Sequence, residues 1–229
     1  MLDDLDVLRA AVARYRAAAR AAGLDWPDEP EKPAGPPPEQ VYRIFGVDHV
    51  AEQLTWLYAQ PWRELQILPD GGWLEPWPPG VDALDGLHMS VGTPFPWRQQ
   101  LPLFHFHNLI YNFVLAGEHE GEIWRFEFGP DGSDPVRAAV SLAPLFDQWT
   151  RGVGEGVLVH DEGGWLRIEE DEVPWATGLD PVAFPIDLDE DLLRQRQREC
   201  GVDLAAVAAG FERYEQMIRT VDAVKASLT

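Results

Sequence analysis

With 229 residues, 45% of them hydrophobic, the chain is long enough to bury a full core as one large domain or two small ones. Its 39 acids against 18 bases, a formal net charge of -21, argue against nucleic acid or an anionic membrane as partner and point to basic proteins or cations. The single cysteine, Cys200, excludes an intramolecular disulfide, and no hydrophobic run approaches the roughly 20 residues of a membrane span; the expected location is the cytoplasm.

The first element is an amphipathic helix over residues 2–22. Leu5, Leu8, Val12, Tyr15 and Ala19 share one face of a 3.6-residue period, early aspartates suit the positive end of the dipole, and Gly23 ends it. Asp3, Asp4 and Asp6 before the first Arg argue against a targeting segment. Residues 25–38 carry six prolines and read as an extended connector. The chain is therefore taken as a single α+β domain, 1–229, with helix 2–22 and connector 25–38 as an N-terminal extension. A lone helix of this length is marginal in water, so it is expected to pack back on the main body.

Residues 38–59 suggest a short helix, a break at Gly46 and a second helix capped by Asp48, with Val50, Leu54 and Leu57 buried and Trp56 and Tyr58 flanking. Pro69-Asp70-Gly71-Gly72 is a turn signal between two short extended runs, hence an expected hairpin. Residues 76–102 read as loop. The clearest β region is 101–116, apolar enough for a buried strand or two, followed by the turn 117–122. IWRFEF, 123–128, alternates Ile123, Arg125 and Glu127 against Trp124, Phe126 and Phe128, the pattern of a half-buried strand. Ala143-Pro144 opens a helix burying Leu145, Phe146 and Trp149. A hairpin turns at Asp161-Glu162-Gly163-Gly164, residues 170–189 are an acidic loop, and helices follow over 188–200 and 203–228. Helix, then hairpins, then helix predicts an antiparallel sheet of hairpins flanked by N-terminal and C-terminal helices.

The negative charge is concentrated. Residues 118–191 hold 19 acids against four bases, Arg125, Arg137, Arg151 and Arg167. Sixteen of the bases are Arg and two, Lys32 and Lys225, are Lys, a usage that fits a GC-rich bacterial genome. His105 and His107 would share a strand face, as two metal ligands require, with His119 between Glu118 and Glu120 as a further donor. No HExxH or paired CxxC accompanies them, and neither metal nor cofactor is expected. Glu118, Glu120 and Glu122 could align as paired carboxylates, but acid–base work needs one of them in an apolar pocket, and a solvated turn explains them equally. Nucleophile and phosphate-loop motifs are missing, and Cys200 reads as a small, partly buried side chain. Trp62, Trp73, Trp77 and Trp97 lie in or beside Pro-rich loops, where most are expected in the core and one or two exposed.

Residues 112–128, NFVLAGEHEGEIWRFEF, join an apolar strand, an acidic glycine turn and an aromatic strand, and 141–153, SLAPLFDQWTRGV, supply the helix after the sheet. On these segments the stretch from Asn108 to about Arg167 resembles the SUKH superfamily of bacterial toxin-immunity proteins and fungal cell-wall-synthesis regulators. The N-terminal helix, the connector and the 170–229 tail lie outside that pattern. The resemblance implies an α+β fold without catalytic residues and binding to a cognate toxin, often a basic nuclease. The expected binding residues are the acids Glu118, Glu120, Glu122, Glu169, Glu170, Asp171 and Glu172. Two other readings stand beside it. One is a hydrolase or metal-dependent enzyme using the carboxylates and histidines of 105–122, and the other an oligomeric scaffold held by the terminal helices.

Overall fold

A computed structural model gives the fold. It describes residues 2–27, 41–42, 47, 51–60, 67–75, 100–127, 135–169 and 178–203, and positions 205, 215, 216, 218, 219, 222, 223 and 226. The fold is α+β, as the alternation of element types predicts. A five-stranded antiparallel sheet runs in sequence order as a meander: β1 (Trp73–Leu74), β2 (Gln100–Phe106), β3 (Leu109–Val114), β4 (Ile123–Glu127) and β5 (Val136–Ala139). A second sheet pairs β6 (Leu158–His160) with β7 (Leu166–Ile168) around the expected Asp161–Gly164 turn. The helices are α1 (Leu5–Ala21), α2 (Glu52–Tyr58), α3 (Leu142–Gly154) and α4 (Glu190–Glu199). The described positions from 205 to 226 are also helical. Among the described residues no helix is long and apolar enough to cross a membrane.

Helix α1 buries Leu8, Val12, Tyr15 and Ala19 of the expected face together with Ala11, while Leu5 is half-buried. It packs against α3, and both lie on the sheet face that carries Phe104, Phe106 and Tyr111. The ring of Trp149 is the meeting point. It stands 5.8 Å from Tyr15, 5.7 Å from Phe104, 6.1 Å from Phe106 and 5.0 Å from Phe146, centroid to centroid. Such tilted and edge-on pairs add to the burial of each ring.

Asp3 and Asp4 fasten the helix layer. Asp4 caps its own helix, accepting from the Asp6 amide at 2.8 Å. Asp3 instead reaches the start of α3, where Ser141 at the N-cap position makes no capping bond with its own side chain. The Asp3 carboxylate accepts from Ser141 Oγ at 2.7 Å and from the Ala143 amide at 2.8 Å. An acid at a helix N-terminus satisfies an orphan amide and complements the dipole.

Four expectations need correction. Helix α2 begins at Glu52 with Ala51 at its N-cap, Asp48 lies outside the described residues, and Tyr58 is fully buried rather than flanking. The turn at 69–72 forms, with Asp70 and Gly71 at φ 53° and 67° and the Gly72 amide donating to Pro69 O at 3.0 Å. Among the described residues its two sides do not pair with each other. Downstream, Trp73 and Leu74 pair with His105 and Phe104 of β2; upstream, Pro69 bridges to Leu166 of β7. Strand β2 begins at Gln100, one residue before the expected β region and within the stretch 76–102 read as loop, and its register shift between Pro102 and Phe104 accommodates a proline that cannot donate. Strand β4 is buried on both faces through Phe126, not half-buried. Arg125 turns toward the helix layer with 1% of its surface exposed, and its Nη1 donates to Phe184 O and Ile186 O, each at 3.0 Å.

Replacing Asp3 by Ala should lower stability by about 1–2 kcal/mol. Urea unfolding would show a lower midpoint with an unchanged slope, and an unaltered midpoint would mean that the contact to α3 contributes nothing.

Candidate functional site

The expected site residues separate on folding. Glu118 is exposed on the β3–β4 turn, Glu120 is half-buried there, and Glu122 is buried at the mouth of β4. The turn closes through the Gly121 amide donating to Val114 O at 2.9 Å and the Val114 amide donating to Glu122 O at 3.0 Å. It directs Glu122 onto the sheet face opposite the helices. There Trp124 Nε1 donates to Glu122 Oε2 at 2.7 Å, Arg137 Nη1 donates to Oε1 at 2.8 Å, and His119 Nδ1 lies 3.2 Å from Oε2. Trp124 is two residues along the same strand, and Arg137 is its cross-strand partner on β5, so all three share one face.

Burial alone would raise the Glu122 carboxyl. Hydrogen bonds from Trp124 and Arg137, the charge of Arg137 and the contact with His119 outweigh it and hold the group below its ordinary value. The carboxylate is therefore a fixed, ionised anchor for three side chains. A general acid of the paired-carboxylate kind needs the opposite shift.

The two histidines of the expected metal pair also part. His105 lies within β2, almost fully buried, with Nε2 2.5 Å from Glu75 Oε2. His107 leaves the strand for the two-residue turn to β3, at φ 50°, and its exposed ring lies 3.0 Å from Asp70. Among the described residues no group of three His, Cys, Asp or Glu side chains could hold a metal ion. Of the acidic run 169–172, Glu169 is half-buried and paired with Arg167, while 170–172 lie outside the described residues. Cys200 is half-buried at the C-cap of α4.

A feature missed by reading the sequence segment by segment involves two turns. Asp70-Gly71-Gly72-Trp73-Leu74 and Glu162-Gly163-Gly164-Trp165-Leu166 share one pattern: acid, two glycines, Trp, Leu. Folding sets them side by side, since the Asp70 amide donates to Leu166 O at 2.6 Å. A Cβ on Gly71 would lie 3.9 Å from the Trp165 ring. Gly72 has no such room. A Cβ there would come within 2.2 Å of the Phe106 ring and 2.9 Å of the His105 carbonyl, so glycine is what lets the turn lie flat on β2. Trp73 emerges from this junction 40% exposed, its ring stacked on His105 at 5.3 Å and 18°. The twice-used pattern was the signal available in the sequence; that the two copies touch was not.

Comparison of the chain with protein-family models, with curated proteins and with solved structures gave no match.

Replacing Glu122 by Gln should cost about 2 kcal/mol at neutral pH, since Arg137 and Trp124 lose an ionised acceptor. The folded carboxyl titrates below its unfolded value, so its contribution is full above the unfolded carboxylate range and disappears as pH falls through the folded value. Urea unfolding of the two proteins should thus converge toward strongly acidic pH. A gap that stays constant would contradict an ionised anchor.

Proposed function

We propose that this protein is a non-catalytic acidic binding protein that neutralises a basic partner, in the manner of an immunity protein against a nuclease-type toxin. The observation that carries the reading is how the charges are spent. Several described arginines are held by the protein's own groups. Arg125 is bound to backbone carbonyls, Arg137 to Glu122, Arg14 to Asp147, Arg167 to Asp161 and Glu169, and Arg196 to Asp180 and Glu199. Glu118, Glu162, Asp187 and Asp191 face solvent, and none of the ion pairs among the described residues uses them. A surface on which these arginines are paired while such acids stay outward presents a negative field, which speeds encounter with a basic protein.

The likeness to the SUKH superfamily over Asn108 to Arg167 supports the same reading, as does the α+β fold it implies. The residues offered for chemistry support it too. Glu122 is ionised and committed to three neighbours, and His105 and His107 each answer to a different acid.

Co-expression with a basic toxin encoded beside the gene should yield a stoichiometric complex by size exclusion. The combined substitutions Glu118→Lys, Glu162→Lys, Asp187→Lys and Asp191→Lys should weaken that complex by about tenfold or more at low ionic strength and much less at high salt. A chain that elutes alone beside every such neighbour would refute the reading.

A further inference from the structure

We infer that Trp73 is the anchoring platform for a cationic side chain, arginine or lysine, of the protein's partner. The inference rests on the basic-partner reading and assigns it a place. Of the described residues, Trp73 is an aromatic side chain with much of its surface in water, and the fold goes to some length to hold it there. Its position follows from the Asp70-Gly71 turn, with two successive residues at positive φ, and from Gly72, whose missing Cβ allows the chain to lie against Phe106. Its ring is fixed by stacking on His105 across the β1–β2 pair. Glu75 in turn holds His105, 2.5 Å away and 11% exposed. The indole is thus preordered before any partner arrives, which removes an entropic cost of binding.

The surroundings favour a cation. Asp70, in the same turn as Trp73, and Glu75, two residues on, are taken up by His107 and His105. The neighbouring turn, joined by the bond between the Asp70 amide and Leu166 O, brings exposed Glu162 alongside, whereas Asp161 is engaged by Arg167 and the Gly163 amide. An indole face attracts a guanidinium or ammonium through its quadrupole, and nearby carboxylates add to that attraction. A partner arginine laid on Trp73 would find a flat apolar surface beneath its plane, and both residue types are enriched among binding hot spots.

The test uses the full chain and a synthetic deca-arginine peptide, followed by calorimetry and by the indole N–H resonances in two-dimensional NMR. Wild type should bind with a shift of the Trp73 indole signal. Trp73→Ala should bind about fivefold more weakly at near-physiological salt, and Trp73→Tyr, which keeps an aromatic face, should recover most of that loss. Circular dichroism of the variants checks that the fold is intact, and the Tyr variant keeps the inference testable if the Ala variant unfolds. Equal affinity of wild type and Trp73→Ala would overturn the platform and leave binding to the dispersed surface acids. Failure of deca-arginine to bind wild type even at low salt would overturn the basic-partner reading and the platform with it.

Discussion

The segment Pro181–Ile186 runs buried through the molecule with only a single 3-10 turn of regular structure, and its carbonyls must be satisfied from elsewhere. Three side chains from the body of the fold do this. Trp149 Nε1 donates to Ala183 O at 2.8 Å, Arg125 Nη1 donates to Phe184 O and Ile186 O, and the Tyr111 hydroxyl lies 3.4 Å from Val182 O. Each donor is also a packing element. Trp149 sits among Tyr15, Phe104, Phe106 and Phe146, and Tyr111 pairs with Arg125 across β3 and β4. The same residues therefore set the spacing between helices and sheet and hold the chain that leads to α4. Loss of any one leaves a carbonyl without its donor as well as a void.

The opposite face of the sheet is organised by polar residues instead. Glu122 gathers Trp124, Arg137 and His119 at one end, and Asn112 donates to Gln100 Oε1 at 3.3 Å between β3 and β2. At the other end Glu75 and Asp70 take up His105 and His107. Chemistry-bearing side chains here serve as fasteners: each carboxylate is matched to a neighbour on the next strand or turn. Among the described residues, Glu118, Glu162, Asp187 and Asp191 stay outward, together with the partly exposed indole of Trp73.

Much of the fold was legible because local periodicity is enforced by local physics. The 3.6-residue face of α1, the Ala143-Pro144 opening of α3, the strands within 101–116, the Asp161–Gly164 turn and the helix ending at Cys200 all follow from side-chain alternation, capping and turn residues. The failures share a cause. Arg125 looked like the solvent side of a half-buried strand because alternation marks two faces without saying what covers each. His107 looked like the strand mate of His105 because a two-residue turn with a left-handed histidine has no compositional mark. The 69–72 turn was legible as a turn, but turn residues specify a reversal and not the partners of its arms. Asp3 caps a helix 138 residues away, and no local pattern points there.

By itself, the sequence determined the element types, the turn positions, the concentration of negative charge between residues 118 and 191 and the scarcity of catalytic motifs. These are properties of short windows or of bulk composition, where propensity and charge act without knowledge of the rest of the chain. Only the tertiary structure decided, among the described residues, which acids are anchors and which face solvent, which histidine is buried, and that Trp73 stands out from the surface. Those outcomes depend on contacts between distant segments. A residue's chemistry follows from its burial and its partners, and both are settled when sheet, helices and the two acid-Gly-Gly-Trp turns are brought together.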